Sequence, residues 1–167
     1  MVEWLHNGRC LSCFWALTVV ALIASGASAS AKTEAVLYSF QNNGADGNIP
    51  DANLTNVDGT LYGTTKYGGA SNVGTVFSIS PSTGTEKVVY SFQNNSADGT
   101  NPVAGLINVN GTLYGTTPYG GAPGAGTVIS INPSTGAETV VYAFQNNGAD
   151  GIAPYASPTL GCSTRDG

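Results

Sequence analysis

Beyond residue 31 the chain has no histidine, one cysteine (Cys162) and four basic side chains, Lys32, Lys66, Lys87 and Arg165. Each scarcity excludes a chemistry. Without histidine there is no Ser/His/Asp or Cys/His nucleophile and no His-ligated zinc site. A lone cysteine cannot close an intrachain disulfide, so strand packing must hold the fold. The formal charge of −5, with so few cations, leaves no basic stripe to neutralise phosphates, and nucleic acid is excluded as a partner. Charged residues make up 9% of the chain and glycine numbers 23, which does not suit helices. Glycine punctuating runs of Val, Thr and Tyr suits short strands and tight turns instead.

Against these absences stands a repeat. YSFQNNGADG at residues 38–47 returns as YSFQNNSADG at 90–99 and as YAFQNNGADG at 142–151. GTLYGTT, at 59–65 and 111–117, keeps the same step of 52. About 37 of the 52 positions agree between the first two copies, and such a period marks one supersecondary unit repeated and stacked.

One repeat carries four strand signals. KVVYSF (87–92) places Val88, Tyr90 and Phe92 on one face and Val89 on the other, and PVAGLINV (102–109) follows. Asn110-Gly111, like Asp58-Gly59, is a dipeptide that takes the positive-φ positions of a type I′ hairpin turn. TLYGTT (112–117) and GTVISI (126–131) come next, and the PSTG turn (133–136) leads into the following copy. Apolar residues on both strand faces indicate sheets sandwiched between neighbours. The expectation is an all-β fold of tandem four-stranded antiparallel blades of β-propeller type, over about residues 49–92 and 101–144. Closed propellers use at least four blades, so the array is read as incomplete, a fragment or truncation of a longer repeat protein; the alternative is a short array that dimerises or exchanges strands. Two blades would leave an uncovered outer face on each side, exposing Phe77, Ile79 and Val128 or their opposite-face partners, and self-association is expected.

Residues 1–31 read as a signal peptide: Arg9 in a short n-region, an apolar run over 11–23, and small-residue cleavage sites after Ala29 or Ala31. The run is shorter than a membrane span. Residues 32–151 then hold two full repeats and the start of a third, and 152–167 form a divergent tail. The protein is therefore expected to be secreted or held at the cell envelope.

The segment GTLYGTTxYGGAxxxGTVxSIxPSTG resembles the tandem repeat of secreted bacterial GloVer (Gloeobacter–Verrucomicrobia) proteins of choice-of-anchor type, over about residues 36–151. That resemblance implies an exported, propeller-like array attached by varying C-terminal anchors, and it implies no shared activity. More loosely, the strand order is similar to a kelch blade, although Tyr90 and Tyr142 stand where kelch repeats carry Trp, and the gap from Tyr62 to Gly68-Gly69 is longer.

In a meander, loops alternate between the two ends of the sheet, so the long QNN[GS]ADG and YGGA loops share one end. Function usually sits on long loops held by a rigid scaffold. Asn42, Asn43, Asp46, Tyr67, Asn94, Asn95, Asp98, Tyr119, Asn146, Asn147 and Asp150 are the candidate ligand-binding residues. Amides and carboxylates beside an aromatic ring suit sugar hydroxyls and faces, while Asn, Asp and Gly also serve as plain turn formers. NNGADG only partly mimics a calcium loop: the third place is Gly44, Ser96 or Gly148, and the twelfth from Asn42 is Asn53. No metal, cofactor or catalytic residue is assigned. The repeated acids (Asp46, Asp98, Asp150; Glu86, Glu138) do not look like a catalytic pair, which occurs once per site. The reading is an exported, non-catalytic binding or structural scaffold for an extracellular glycan or protein; the alternative is part of a carbohydrate-active enzyme whose catalytic portion lies elsewhere.

Overall fold

The structure, a computed structural model, describes residues 34–41 and 43–161. The leader, Asn42 and residues 162–167 of the tail lie outside the described residues. Those described form strands and turns with no helix. The first repeat contributes β1 (Gly47–Asn48), β2 (Thr55–Val57), β3 (Thr60–Thr65), β4 (Tyr67–Gly68), β5 (Thr75–Ile79) and β6 (Glu86–Ser91). The second contributes β7 (Gly99–Thr100), β8 (Ile107–Val109), β9 (Thr112–Thr117), β10 (Tyr119–Gly120), β11 (Thr127–Ile131) and β12 (Glu138–Ala143). Each strand of the second set begins 52 residues after its counterpart, as Thr55 to Ile107 and Glu86 to Glu138 illustrate. Two four-stranded antiparallel sheets result, ordered β2-β3-β5-β6 and β8-β9-β11-β12, each beside a two-stranded ribbon, β1-β4 or β7-β10.

The turns follow from the residues that make them. Val57 pairs with Thr60 and Val109 with Thr112, which leaves two-residue loops. Asp58 (φ 49°) and Gly59 (84°), then Asn110 (52°) and Gly111 (83°), take the positive φ angles that a type I′ turn demands. In the PSTG turn the Gly84 amide donates to the Ser80 carbonyl (2.8 Å) and the Ser80 amide to Thr85 (3.0 Å).

Two expectations about strands change. Of residues 102–109 only Ile107–Val109 is strand. The preceding carbonyls serve the other sheet: Ala104 accepts from the Thr64 hydroxyl (3.0 Å) and Leu106 from the Thr55 hydroxyl. Val88 and Tyr90 do not share a face either. Phe77 pairs with Val88 but Val76 with Tyr90, so Val89 is the extra residue of a β-bulge; Val141 is its counterpart in β12. A bulge breaks the two-residue alternation, sending Val88 to the Phe77 face and Tyr90 with Phe92 to the Val76 face.

That switch builds the core. Val76 and Phe92, both 0% exposed, turn toward the second sheet and pack with Val57, Leu106, Leu113, Ile129 and Ile131. Asn101 ties the two repeats further, its amide donating to the Val73 carbonyl (2.7 Å) and its Nδ2 to the Lys66 carbonyl (3.1 Å). The opposite face of the first sheet is covered as well. Phe77 is 2% exposed and Ile79 6%, contrary to the exposure expected of them. Phe40, from a strandless segment at 35–41, sets its ring 4.9 Å from that of Phe77. The less covered face lies at the other end, where Val141 is 55% and Tyr142 46% exposed and Val128 is half-buried, while Thr116 on the same face is buried under the Pro154 and Ala156 carbonyls.

Candidate functional site

The two long loops of each repeat meet at one end of the sheet. Gly47 pairs with Gly68 and Asn48 with Tyr67 across the first ribbon, and Gly99 with Gly120 and Thr100 with Tyr119 across the second. The Gly69 amide donates to the Asp46 carbonyl (3.0 Å) and the Gly121 amide to the Asp98 carbonyl (2.7 Å). Below lies a buried pair of threonine hydroxyls, Thr65 with Thr75 and Thr117 with Thr127, each 2.8 Å apart. Only glycine can rest there, because a Cβ on Gly99 would stand 2.3 Å from Thr117 Oγ1. The threonines of LYGTT and GTV therefore seat the ADG of the loop, a role that spacing alone did not reveal.

Each QNN[GS]ADG loop closes on a carboxylate clamp. Asp46 Oδ2 accepts from the Tyr38 hydroxyl (2.8 Å) and the Gln41 amide (2.6 Å). Asp98 Oδ2 accepts from Tyr90 (2.8 Å) and Gln93 (2.7 Å), and Asp150 Oδ2 from Tyr142 (2.6 Å) and Gln145 (2.9 Å). The middle asparagine shapes the turn. Asn43 Oδ1 accepts from the amides of Ala45 and Asp46, both at 3.0 Å, and Asn95 and Asn147 do the same in their loops. These are Asx-turn bonds, made wherever the backbone must reverse. Asp46 and Asp98 are buried, at 7% and 5% exposure, whereas Asn94 and Asn146 are exposed.

The candidate residues thus divide. Asn43, Asp46, Asn95, Asp98, Asn147 and Asp150 are engaged in holding their own loops. Asn94 and Asn146 stay exposed, and the tyrosines stand on β4 and β10. Tyr119 is 47% exposed and shares a 2.8 Å hydroxyl contact with Tyr155. Tyr67 is half-buried, with Lys66 Nζ 5.3 Å from its ring centroid. Among the described residues there is no enclosed pocket and no convergence of three His, Cys, Asp or Glu.

A second acidic group faces each buried clamp from the next strand pair. Burial pushes the Glu86 carboxyl up to about 7, and the Asp46 charge adds to the shift. Burial raises Glu138 to about 7 as well, with Asp98 adding and the Tyr90 hydroxyl bond opposing. The clamp bond to Asp46 lifts the Tyr38 hydroxyl to about 12, and burial followed by the Asp98 bond raises Tyr90. Oε1 of both glutamates and Oδ1 of Asp98 are buried without a hydrogen-bond partner. A carboxyl with a pKa near 7 is the usual mark of a general acid. Here the same Glu–Asp–Tyr set occurs twice, 52 residues apart, with the same neighbours each time. The third clamp has no such glutamate among the groups acting on it; the Gln145 amide and the Tyr142 hydroxyl hold Asp150 below the usual carboxylate range.

A family model described as Gloeobacter/Verrucomicrobia repeat matches residues 24–164. No curated protein and no solved structure matches the chain.

Proposed function

Since the chain belongs to the Gloeobacter/Verrucomicrobia repeat family, we propose that it is an exported, non-catalytic scaffold whose repeated loop end binds an extracellular glycan or protein. Its four-stranded sheets are read as propeller-type blades turning about a common axis. Positions 52 residues apart support that reading: a Cβ on Gly105 would lie 3.2 Å from the Asn53 carbonyl, and the Gly105 amide donates to Ser157 Oγ (2.7 Å). Export rests on the leader over residues 1–31.

The observation that carries the binding role is the division of the loop. Buried Asp and inner Asn hold the backbone, which leaves Asn94, Asn146 and Tyr119 displayed in fixed positions. Exposed amides and an exposed aromatic ring offer the chemistry that suits sugar hydroxyls and ring faces, and a rigid frame lowers the ordering cost of binding. Equivalent weak sites along an array gain strength through effective concentration, so a polymer should bind far better than its monomer unit.

The test compares polymeric glycans and their monomers on the immobilised chain. Replacing Asn94, Tyr119 and Asn146 together by alanine should weaken polymer binding by about ten-fold or more while leaving the melting curve unchanged. Replacing Asn95 and Asp98 should instead destabilise the protein. Polymer binding that survives the triple change in a folded protein, or no retention of any envelope glycan or protein, contradicts the proposal. Export is tested separately: the secreted product should begin at Ser30 or Lys32, and retention of the leader would refute it.

A further inference from the structure

The face of the second sheet that carries Val128, Tyr142 and Phe144 is covered only at its Thr116 end, where that hydroxyl donates to the Pro154 (3.4 Å) and Ala156 (3.1 Å) carbonyls as Thr64 does to Ala104, and the first sheet shows what fits the rest. There the same face carries Val76, Tyr90 and Phe92, and the second repeat packs against it through Leu106, Leu113 and Ile129. Val76 and Phe92 are 0% exposed in consequence, whereas Tyr142 is 46% and Val141 55% exposed. The two faces are built alike. Tyr90 meets Phe92 edge-on at 5.2 Å and Tyr142 meets Phe144 at 5.3 Å, and each tyrosine hydroxyl binds its own clamp aspartate. At the covered junction the PSTG turn of the second sheet sits so close to Val89 that a Cβ on Gly136 would lie 2.5 Å from its carbonyl oxygen. Val141, the counterpart of Val89, has no such turn above it among the described residues.

The complementary face is present at the other end of the same chain. Phe77 and Ile79 stand where Ile129 and Ile131 stand in the second sheet. They are covered by residues 35–41, with Phe40 against Phe77 and the Leu37 carbonyl beside Gly84. This cover begins the sequence YSFQNNGADG, nearly the same decapeptide that closes the second sheet as YAFQNNGADG. It nevertheless forms no strand over 35–41, and Val36 and Leu37 are 78% and 46% exposed. The segment supplies the last strand's side chains without a sheet behind them.

We propose that two copies of this chain join head to tail by exchange: the open face of one, with Val128, Tyr142 and Phe144, replaces residues 35–41 of the other over Phe77 and Ile79. A matching sequence restores the packing that the displaced segment gives up, and Val128 adds cover that a lone segment lacks. An additional apolar face is removed from water, which drives association. The contact is heterologous, because the two surfaces differ, so it extends into longer chains or closes as a ring. It requires no ligand and stands apart from the binding role proposed above.

Light scattering on the purified chain should give a mass that rises with concentration to multiples of one chain. Val141→Arg should hold it at the single-chain mass without altering its melting curve. Gly84→Gln, which blocks the other surface, should also hold it at the single-chain mass, with a lower melting point because φ +68° is strained and its Cβ would stand 2.6 Å from the Leu37 carbonyl. Mixing the two variants should yield a 1:1 dimer and nothing larger. Hydrogen exchange on the unaltered protein provides a readout independent of any variant. As concentration rises, the Gln41 amide, which donates to Asp46, should lose protection while amides at 139–145 gain it. A chain that stays monomeric, association that persists in Val141→Arg, a mixture that fails to pair, or exchange that moves the other way would each overturn the proposal.

Discussion

Two glycines with the same backbone angle and different surroundings separate strain from packing. Gly111 (φ +83°) and Gly120 (φ +85°) both sit in the left-handed region, where alanine costs about 1 kcal/mol or slightly more. A Cβ at Gly111 meets nothing within 4 Å, because the hairpin turn faces solvent. At Gly120 it would stand 2.3 Å from the Asp98 carbonyl oxygen and 2.8 Å from Gly99 Cα. Both atoms are backbone and cannot swing aside, so the β7–β10 ribbon must part or the clamp beneath it must shift. Overpacking of this kind adds about 2 kcal/mol to the strain. Gly111→Ala should therefore cost about 1 kcal/mol and Gly120→Ala about 3 kcal/mol. With a urea m-value of about 1.5 kcal/mol/M, the midpoints should fall by about 0.7 M and about 2 M. Equal shifts for the two variants would refute the close approach of the loops on which the rigid face depends.

Three further outcomes follow from named groups. Glu86 and Glu138 have folded pKa values near 7 against an ordinary 4.5, so the proton stabilises the folded form. Their contribution is complete below about 4.5 and is lost as pH rises through about 7; thermal melts from pH 5 to pH 8 should show falling stability, flattened in the Glu86→Gln, Glu138→Gln double variant. Phe92→Ala empties a fully buried site in the inter-sheet core and should cost about 3–5 kcal/mol in chemical denaturation. Ile49 holds φ 59° at the position where the second repeat has Asn101 at φ 56°, and a β-branched side chain is strained there; Ile49→Asn should raise stability by about 1 kcal/mol, read from the urea midpoint.

Much of this architecture could be read from residues. The four strand signals of one repeat correspond to its four-stranded sheet, although the two-residue strands of the β1–β4 and β7–β10 ribbons were not read, and Asn110-Gly111 and Asp58-Gly59 form the hairpins that their positive-φ tolerance indicates. The meander then placed the QNN[GS]ADG and YGGA loops at one end, where β1 and β7 pair with β4 and β10. The bulges could not be read, because Val88-Val89 and Val140-Val141 offer two chemically equal residues and alternation alone cannot say which is extra. Residues 102–106 carry strand-like side chains, yet their carbonyls answer hydroxyls on a neighbouring sheet, a tertiary demand absent from any local pattern. The cover over Phe77 was missed for a related reason: residues 35–41 pack as side chains without pairing as a strand. Among the site residues, the likeness of the three loops was plain. The split between Asn95, whose Oδ1 binds its own loop's amides although it too is exposed, and Asn94 depends on the fold of the turn.

The central claim is that each long loop is a rigid platform, closed from within by its aspartate clamp and inner asparagine. Hydrogen exchange resolved at single amides tests it directly. The amides of Gln93, Ala97, Asp98 and Gly121 donate to Asp98 Oδ2, Asn95 Oδ1, Asn95 Oδ1 and the Asp98 carbonyl, respectively. They should exchange as slowly as the strand amides of β9 and β11, opening only with the sheet itself. Exchange at nearly the free-peptide rate at these four positions, with the strands still protected, would show a mobile loop and contradict the account.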